Sequence, residues 1–181
     1  MRAIRIPMLF AISLAFIGCA TAPKTTSDRQ ALEQRANTTL QTMRQRDAGL
    51  QSLLGSSYGY AVFPDIGKGG FIAGAAYGRG VLYEGGRPTG FVELNQGSLG
   101  AQIGAQTFAE LIVFQNRDQL ERLKAGNFSL SGNVSGVVLT AGAAASARFT
   151  DGIAVFVMPR GGLMAELSVS GQQINYQPLG G

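Results

Sequence analysis

The sequence Gly59-Tyr60-Ala61-Val62-Phe63 opens a long stretch in which short runs rich in Val, Ile, Phe and Tyr alternate with glycines. Apolar runs bounded by turn residues are typical of strands. Glu84-Gly85-Gly86-Arg87-Pro88 indicates a tight hairpin turn between two of them. A short helix is predicted over residues 116–126, with Leu120 and Leu123 facing inward. We predict strands over residues 60–63, 71–83, 90–94, 101–107, 110–114, 128–130, 137–140, 145–149, 153–158, 163–169 and 173–176.

Glycines recur inside these predicted strands, and Gly70, Gly74 and Gly78 are spaced four residues apart. In an apolar helix such spacing would indicate close helix packing, but the nearby charges of Arg79 and Glu84 argue against a membrane helix. Glycine within a strand marks a bulge, sharp curvature or close backbone approach. The predicted fold is therefore α+β and strand-rich: a strongly curved or barrel-like antiparallel sheet with an N-terminal helix and a short internal helix.

An N-terminal helix is predicted ahead of the strands. Ser27 with Gln30 is typical of a capping box at its start, Gly55 is expected to end it, and a break is expected near residues 47–49. Apolar side chains recur along it with the spacing of one helical stripe. The stripe consists of Leu32, Ala36, Leu40, Met43, Leu50 and Leu54.

Arginines lie on both flanks of this stripe. At ~100° per residue, Arg35 and Arg46 lie along one flank and Arg29 and Arg44 along the other. Basic residues beside an apolar stripe suit a membrane surface, where their stems reach toward the headgroups. Alternatively, the stripe packs on the domain and the arginines are solvated. The sequence leaves both interpretations open.

The first residues have the form of an export signal. Arg2 and Arg5 precede an apolar run that is too short to span a bilayer, and the run ends in Phe16-Ile17-Gly18-Cys19. That ending resembles the lipobox of bacterial lipoproteins, although Phe16 stands where Leu is usual. We predict a signal peptide over residues 1–18, lipid on Cys19, a tether over 19–26 and one domain over 27–181. Because Ala20 rather than an aspartate follows the cysteine, we expect anchoring in the outer membrane with the domain in the periplasm.

Composition excludes several classes of function. The chain has no histidine and one cysteine, which removes Ser-His-Asp and Cys-His catalysis and most zinc sites. Loss of Arg2 and Arg5 with the signal lowers the net charge from +4 to +2, so the basic pI does not indicate nucleic-acid binding. We expect no catalytic residues, metal or cofactor. The carboxylates that we interpret as solvated strand or loop residues, not an acid–base pair, are Glu84, Glu93, Glu110 and Glu166.

Two segments of the chain share a similar sequence pattern. Ala61-Val62-Phe63 leads to Lys68, Gly69 and Gly70, and Ala154-Val155-Phe156 leads to Arg160, Gly161 and Gly162. Each is an apolar strand, a turn containing proline, a cation and a glycine pair. Exposed N–H groups beside a cation favour an anion such as phosphate. The alternative is that both are ordinary solvated hairpin tips.

These motifs together resemble the SYLF domain family. The resemblance rests on Gly59 to Pro64, Lys68 to Phe71, Gly78 to Leu82, Gly97 to Gln106 and Gly161 to Gly171, and it extends over about residues 30–178. It implies binding of acidic phospholipids, notably phosphoinositides in eukaryotic members, some of which associate with actin. In the family, an amphipathic N-terminal helix and basic residues are credited with membrane contact. Residues 32–54 correspond to that helix, and Lys68 to the family's basic position before the glycine pair. The segment Phe156 to Pro159 departs from the family pattern, and a periplasmic location removes phosphoinositides and actin as ligands.

The predicted function is therefore a non-enzymatic lipid-binding module of an envelope lipoprotein. Its expected partners are anionic phospholipids such as phosphatidylglycerol and cardiolipin, with no nucleic acid. The alternative is a structural or assembly lipoprotein that packs its glycine-rich strands against a protein partner or itself. Lipid co-sedimentation discriminates between the two. The predicted lipid-binding residues are Lys68, Gly69, Gly70, Arg160, Gly161, Gly162, Arg29, Arg35, Arg44 and Arg46.

Overall fold

The structure is a computed structural model, and it describes residues 25–68, 76–97, 106–126, 128–130, 132–160, 169 and 171–179. The predicted signal peptide, Cys19 and residues 163–168 of the strand predicted over 163–169 lie outside these residues. Three helices and eight strands follow one another along the described chain. In order they are α1 (Thr26–Arg46), α2 (Gly49–Ser56), β1 (Gly59–Lys68), β2 (Ala76–Glu84), β3 (Arg87–Gln96), β4 (Gln106–Phe114), α3 (Arg117–Lys124), β5 (Phe128–Ser129), β6 (Gly136–Val138), β7 (Ile153–Pro159) and β8 (Gln172–Pro178).

The strands form one eight-stranded sheet in the order β5-β8-β3-β2-β1-β4-β7-β6. Neighbouring strands are antiparallel except at one edge, where β6 runs parallel to β7. The predicted hairpin joins β2 to β3, with Glu84 paired to Arg87. Gly85 and Gly86 both have positive φ, the conformation that a two-residue turn of this kind requires. The prediction of a strand-rich α+β fold with a curved sheet is confirmed.

Each face of the sheet carries its own apolar core. The inner core lies inside the curl and is closed at one end by Leu120 and Leu123 of α3. The outer core lies under α1 and α2. The stripe residues Leu32, Ala36 and Met43 are at most 2% exposed. The apolar stripe of α1 therefore packs on the domain, which decides between the two interpretations that the sequence left open.

The N-terminal helical segment begins and breaks slightly differently from the prediction. Thr25, not Ser27, caps α1, because its hydroxyl accepts a hydrogen bond from the backbone N–H of Asp28. The break between α1 and α2 falls at residues 47 and 48, as predicted. Among the described residues, no helix is long and apolar enough to cross a membrane.

Two local predictions are wrong. Residues 145–149 form turns and irregular chain instead of a strand. The predicted strand pieces that end at Thr107 and begin at Glu110 are joined, because β4 is continuous through both. Glu110, interpreted as solvated, is fully buried. Its side chain lies on the inner face of β4, where the Gln172 amide donates to Glu110 Oε2 at 2.9 Å.

Glycines in β2 allow close strand contact at a bend. The pairing of β1 with β2 shifts register between Val62 and Asp65, which is a bulge. A Cβ on Gly78 would lie 2.6 Å from Cγ1 of Ile66, and one on Gly80 would overlap the carbonyl oxygen of Val62. The glycine positions of β2 therefore match the predicted role of close backbone approach in a curved sheet.

The two ends of the sheet differ in their connections. At one end, here called the hairpin end, the β2–β3 turn and α3 lie together, joined by an ion pair of 3.2 Å between Lys124 and Glu84. At the other end, here called the Arg160 end, β1, β3 and β7 finish at Lys68, Gln96 and Pro159.

Candidate functional site: a basic corner between α1 and the end of β7

Arg160 lies where β7 ends and reaches across to α1. Its backbone N–H donates to Thr107 O at 3.0 Å, which holds the residue to the start of β4. Its guanidinium donates to the Thr39 hydroxyl at 2.8 Å, and its Nε lies 3.3 Å from Asp65 Oδ1. A side chain 121 residues away in sequence is thus joined to the middle of the N-terminal helix.

Asp65 is shared by two arginines. Its Oδ2 lies 3.3 Å from Arg35 on α1, while Oδ1 faces Arg160. The side chains of Arg35, Asp65 and Arg160 are 55%, 39% and 39% exposed. Ion pairs this exposed contribute roughly 0–1 kcal/mol each. The shared carboxylate adds little stability, but it holds the two guanidinium groups near each other. Two arginines and one aspartate leave an excess of one positive charge in contact with solvent.

A pocket of about 360 Å³ opens beside this cluster, between α1 and the last residues of β7. It adds a third guanidinium, that of Arg46 at the end of α1. The pocket is lined by Thr38, Thr39, Thr42, Arg46, Met158, Pro159 and Arg160. The hydroxyls of Thr38 and Thr42 donate to carbonyls of their own helix. Two arginine side chains, Arg46 and Arg160, line this concave volume, and such donors suit a small anionic group.

We define the basic corner as Arg35, Thr39, Arg46, Asp65 and Arg160. It holds three guanidinium groups and one carboxylate, so its formal charge is +2. Of the ten residues predicted to bind lipid, the structure brings together Arg35, Arg46 and Arg160 at this corner.

Strand β1 ends at Lys68, at the same end of the sheet as Arg160. β1 and β7 are both antiparallel to β4, so they run in the same direction on either side of it. Gly67 is paired with Thr107, the residue that accepts the Arg160 N–H. At a strand spacing of about 4.8 Å, the two strand ends lie about 10 Å apart. The Lys68 side chain and Gly69, Gly70, Gly161 and Gly162 lie outside the described residues.

Arg29 and Arg44 lie on the opposite flank of α1, against aromatic side chains of the sheet. The Arg29 guanidinium sits 5.7 Å above the Phe91 ring, within the range of a cation–π contact. Arg44 lies beside Tyr60, whose ring stacks on Tyr83 at 5.2 Å. Burial raises the pKa of Tyr60, and the positive charge of Arg44 partly opposes that rise. These two arginines therefore attach the helix to the sheet and are separate from the basic corner.

Two members of the corner were not predicted from the sequence, Asp65 and Thr39. Asp65 immediately follows the motif residue Pro64, but its partners Arg35 and Arg160 come from distant parts of the chain. Thr39 occupies a position next to the stripe and is only 2% exposed. A threonine among the apolar residues of a packed helix face is the signal in the sequence that could have marked it.

Comparison with known protein families supports the resemblance. Residues 95–177 match the family model described as "Ysc84: Las17-binding protein actin regulator", which is the SYLF domain family. Residues 95–177 therefore match the SYLF (Ysc84) domain, the family that the sequence motifs resemble. The match runs from the end of β3 into β8 and includes Arg160, whereas Arg35, Arg46 and Asp65 precede it. No curated protein matches the chain closely enough to count as a relative.

Proposed function

We propose that this protein is a non-enzymatic lipid-binding module and that its basic corner contacts the headgroups of anionic phospholipids. The observation that carries the proposal is the convergence of Arg35, Arg46 and Arg160 on one exposed corner beside a pocket. The match of residues 95–177 to the SYLF domain supports lipid binding as the class of function. The binding of Las17 or actin, which the family description names, is not part of this proposal.

The free energies involved favour the basic corner over the apolar stripe as the part of the protein that contacts the membrane. The stripe is already buried against the sheet, so exposing it to a bilayer would first cost the packing of side chains such as Leu40 and Met43. A cation near an anionic surface contributes about 1 kcal/mol without any such loss. With three arginines and one aspartate, the net attraction of the corner is on the order of 2 kcal/mol, and it declines with salt.

We further propose that the protein is a lipoprotein of the outer membrane with its domain in the periplasm. The n-region, the apolar run and the small residue before Cys19 support this. A lipid anchor concentrates the domain at a membrane, so a weak headgroup site suffices for contact. Mass spectrometry of the mature protein should find an N-terminal acylated Cys19. A mature chain with a free Cys19 thiol would contradict the proposal.

Binding is best tested on residues 25–181. Every member of the two described cores lies between Leu32 and Leu179, so this fragment retains all of their contacts. The expected result is co-sedimentation with vesicles of phosphatidylglycerol and phosphatidylcholine, and none with phosphatidylcholine alone. The variant Arg46→Ala/Arg160→Ala should bind about thirtyfold more weakly at low salt, at about 1 kcal/mol per cation. Adding Lys68→Ala tests the predicted cation at the end of β1.

The matched control is Arg117→Ala/Arg122→Ala. It removes the same amount of charge from exposed positions on α3, at the hairpin end of the sheet. If the two double variants lose equal affinity, the attraction comes from net charge and the corner is not a site. If the wild-type domain does not bind anionic vesicles and instead sediments as an oligomer, the structural or assembly alternative is favoured.

A further inference from the structure

An exposed tyrosine lies close to the basic corner on the same side of the sheet. Tyr77 is 39% exposed, in contrast to the buried tyrosines Tyr60 and Tyr83. Successive side chains of a strand point to opposite faces, so Tyr77 shares the outer face of β2 with Val81 and Tyr83 of the outer core. Of these three residues, Tyr77 is nearest the Arg160 end of the strand.

The register of the sheet places Tyr77 next to the shared carboxylate. Asp65 is paired with Arg79, two residues along β2 from Tyr77. Such diagonal neighbours on antiparallel strands lie about 7–8 Å apart. Directly opposite Tyr77 is Gly67, which has no side chain to cover the tyrosine ring. The ring is therefore partly exposed beside the corner.

We propose that Tyr77 is an interfacial anchor, and that Tyr77 with the basic corner forms the surface that docks on an anionic bilayer. A tyrosine has an apolar ring and a polar tip, which suits the boundary between headgroups and acyl chains. The adjacent +2 charge complements anionic headgroups. This inference rests on the proposed function and adds an orientation to it: the Arg160 end faces the bilayer and the hairpin end points away.

Tyr58 provides a matched comparison. It is more exposed than Tyr77, at 55%, but it precedes β1 at the hairpin end, where its N–H donates to Phe114 O. Exposure alone would make Tyr58 the better membrane contact. The proposed orientation instead requires Tyr77 to enter the interface and Tyr58 to remain in water.

The chain contains no tryptophan, so each tyrosine can be converted into a single fluorescent reporter. Tyr77→Trp and Tyr58→Trp are made in residues 25–181 and mixed with vesicles of phosphatidylglycerol and brominated phosphatidylcholine. We expect the emission of the residue 77 reporter to shift to the blue and to be quenched, and that of the residue 58 reporter to stay unchanged. Tyr77→Ala should weaken binding several-fold, whereas Tyr58→Ala should leave it at the wild-type level.

The outcomes separate this inference from the proposed function. Binding to vesicles with quenching at residue 58, or at neither position, would overturn the orientation and leave lipid binding intact. The orientation is also overturned if Tyr77→Ala binds like wild type. Absence of any vesicle binding by the unsubstituted fragment would overturn both proposals.

Discussion

Asp47 shows how one side chain can join distant segments. It stands at the break between α1 and α2 and is only 4% exposed. Its Oδ1 accepts the Gly49 N–H at 2.9 Å, and its Oδ2 accepts the Ala144 N–H at 2.6 Å. These backbone donors, foremost that of Ala144, hold the pKa of the Asp47 carboxyl below its ordinary value of 3.8. The charged form therefore stabilises the connection between the N-terminal helices and the chain before β7.

Replacing Asp47 should lower stability in a pH-dependent way. Because the folded-state pKa is depressed, the stabilisation is present above the unfolded-state value of 3.8 and is lost as the pH falls below it. Asp47→Asn should cost roughly 1–3 kcal/mol at neutral pH, since a charged acceptor is lost from a buried site. Chemical denaturation at several pH values should show the difference from wild type shrinking below about pH 4.

The control for this experiment is Asp118→Asn, at an exposed position in the first turn of α3. It should change stability by less than about 1 kcal/mol. An Asp47→Asn protein with wild-type stability at neutral pH would show that the negative charge of Asp47 does not contribute to stability.

Among the elements, α1 has three functional sides. Its apolar stripe packs on the outer core, one flank attaches to the sheet through Arg29 and Arg44, and the other flank contributes Arg35 and Arg46 to the basic corner. Because two sides of α1 are attached to the sheet, the third side, which carries Arg35 and Arg46, is held in a fixed position relative to the sheet. The flanking arginines that the sequence placed symmetrically about the stripe therefore have different surroundings in the fold.

The packing of the stripe can be tested with Leu40→Ala. Leu40 is 4% exposed in the outer core, and such a truncation typically costs 2–5 kcal/mol. The neighbouring, exposed Gln41→Ala should change stability by less than about 0.5 kcal/mol. Urea denaturation measures both. A Leu40→Ala protein that keeps its stability but no longer binds vesicles would instead identify the stripe as the membrane contact.

Across the whole molecule, the curl of the sheet brings distant strands into contact. Three strands separate β4 from β8 in the sheet order. Even so, the amide of Gln172 on β8 donates to the carboxylate of Glu110 on β4, and both side chains are fully buried. This hydrogen bond lies inside the curl, and it links two strands that no ladder of the sheet joins.

Removing the Gln172 amide should therefore destabilise the entire domain. Gln172→Leu leaves the buried Glu110 without this donor, at a cost of roughly 1–3 kcal/mol. Gln173→Leu is the matched change one residue further along β8, at an exposed position, and should have little effect. Thermal unfolding compares the two variants. Equal melting temperatures would show that the contact across the curl does not contribute to stability.

Features that depend on neighbouring residues in the chain were predictable from sequence. The β2–β3 turn at Gly85 and Gly86, the helix ending before Gly126 and the break after Arg46 all follow from local backbone preferences. The strand predicted over residues 145–149 is absent. Apolar and polar residues alternate there as in a strand, but the chain forms turns and irregular structure, and Ala147 and Phe149 pack against the outer core. The burial of Glu110 was not predicted either, because a carboxylate in a strand carries no local sign of burial.

The sequence of this protein was sufficient for its class of fold, since hydrophobic period, glycine positions and turn residues act over only a few residues. It was also sufficient to nominate Arg35, Arg46 and Arg160 as members of a cationic site. Only the tertiary structure decided which of the nominated cations share a surface. Arg35 and Arg160 meet at Asp65 because the bulge in β1, the order of β1, β4 and β7, and the path of α1 across the sheet converge there. Strand order and sheet curvature arise from contacts between residues far apart in the chain. The spacing of residues in the sequence therefore does not predict that Arg35 and Arg160 both contact Asp65.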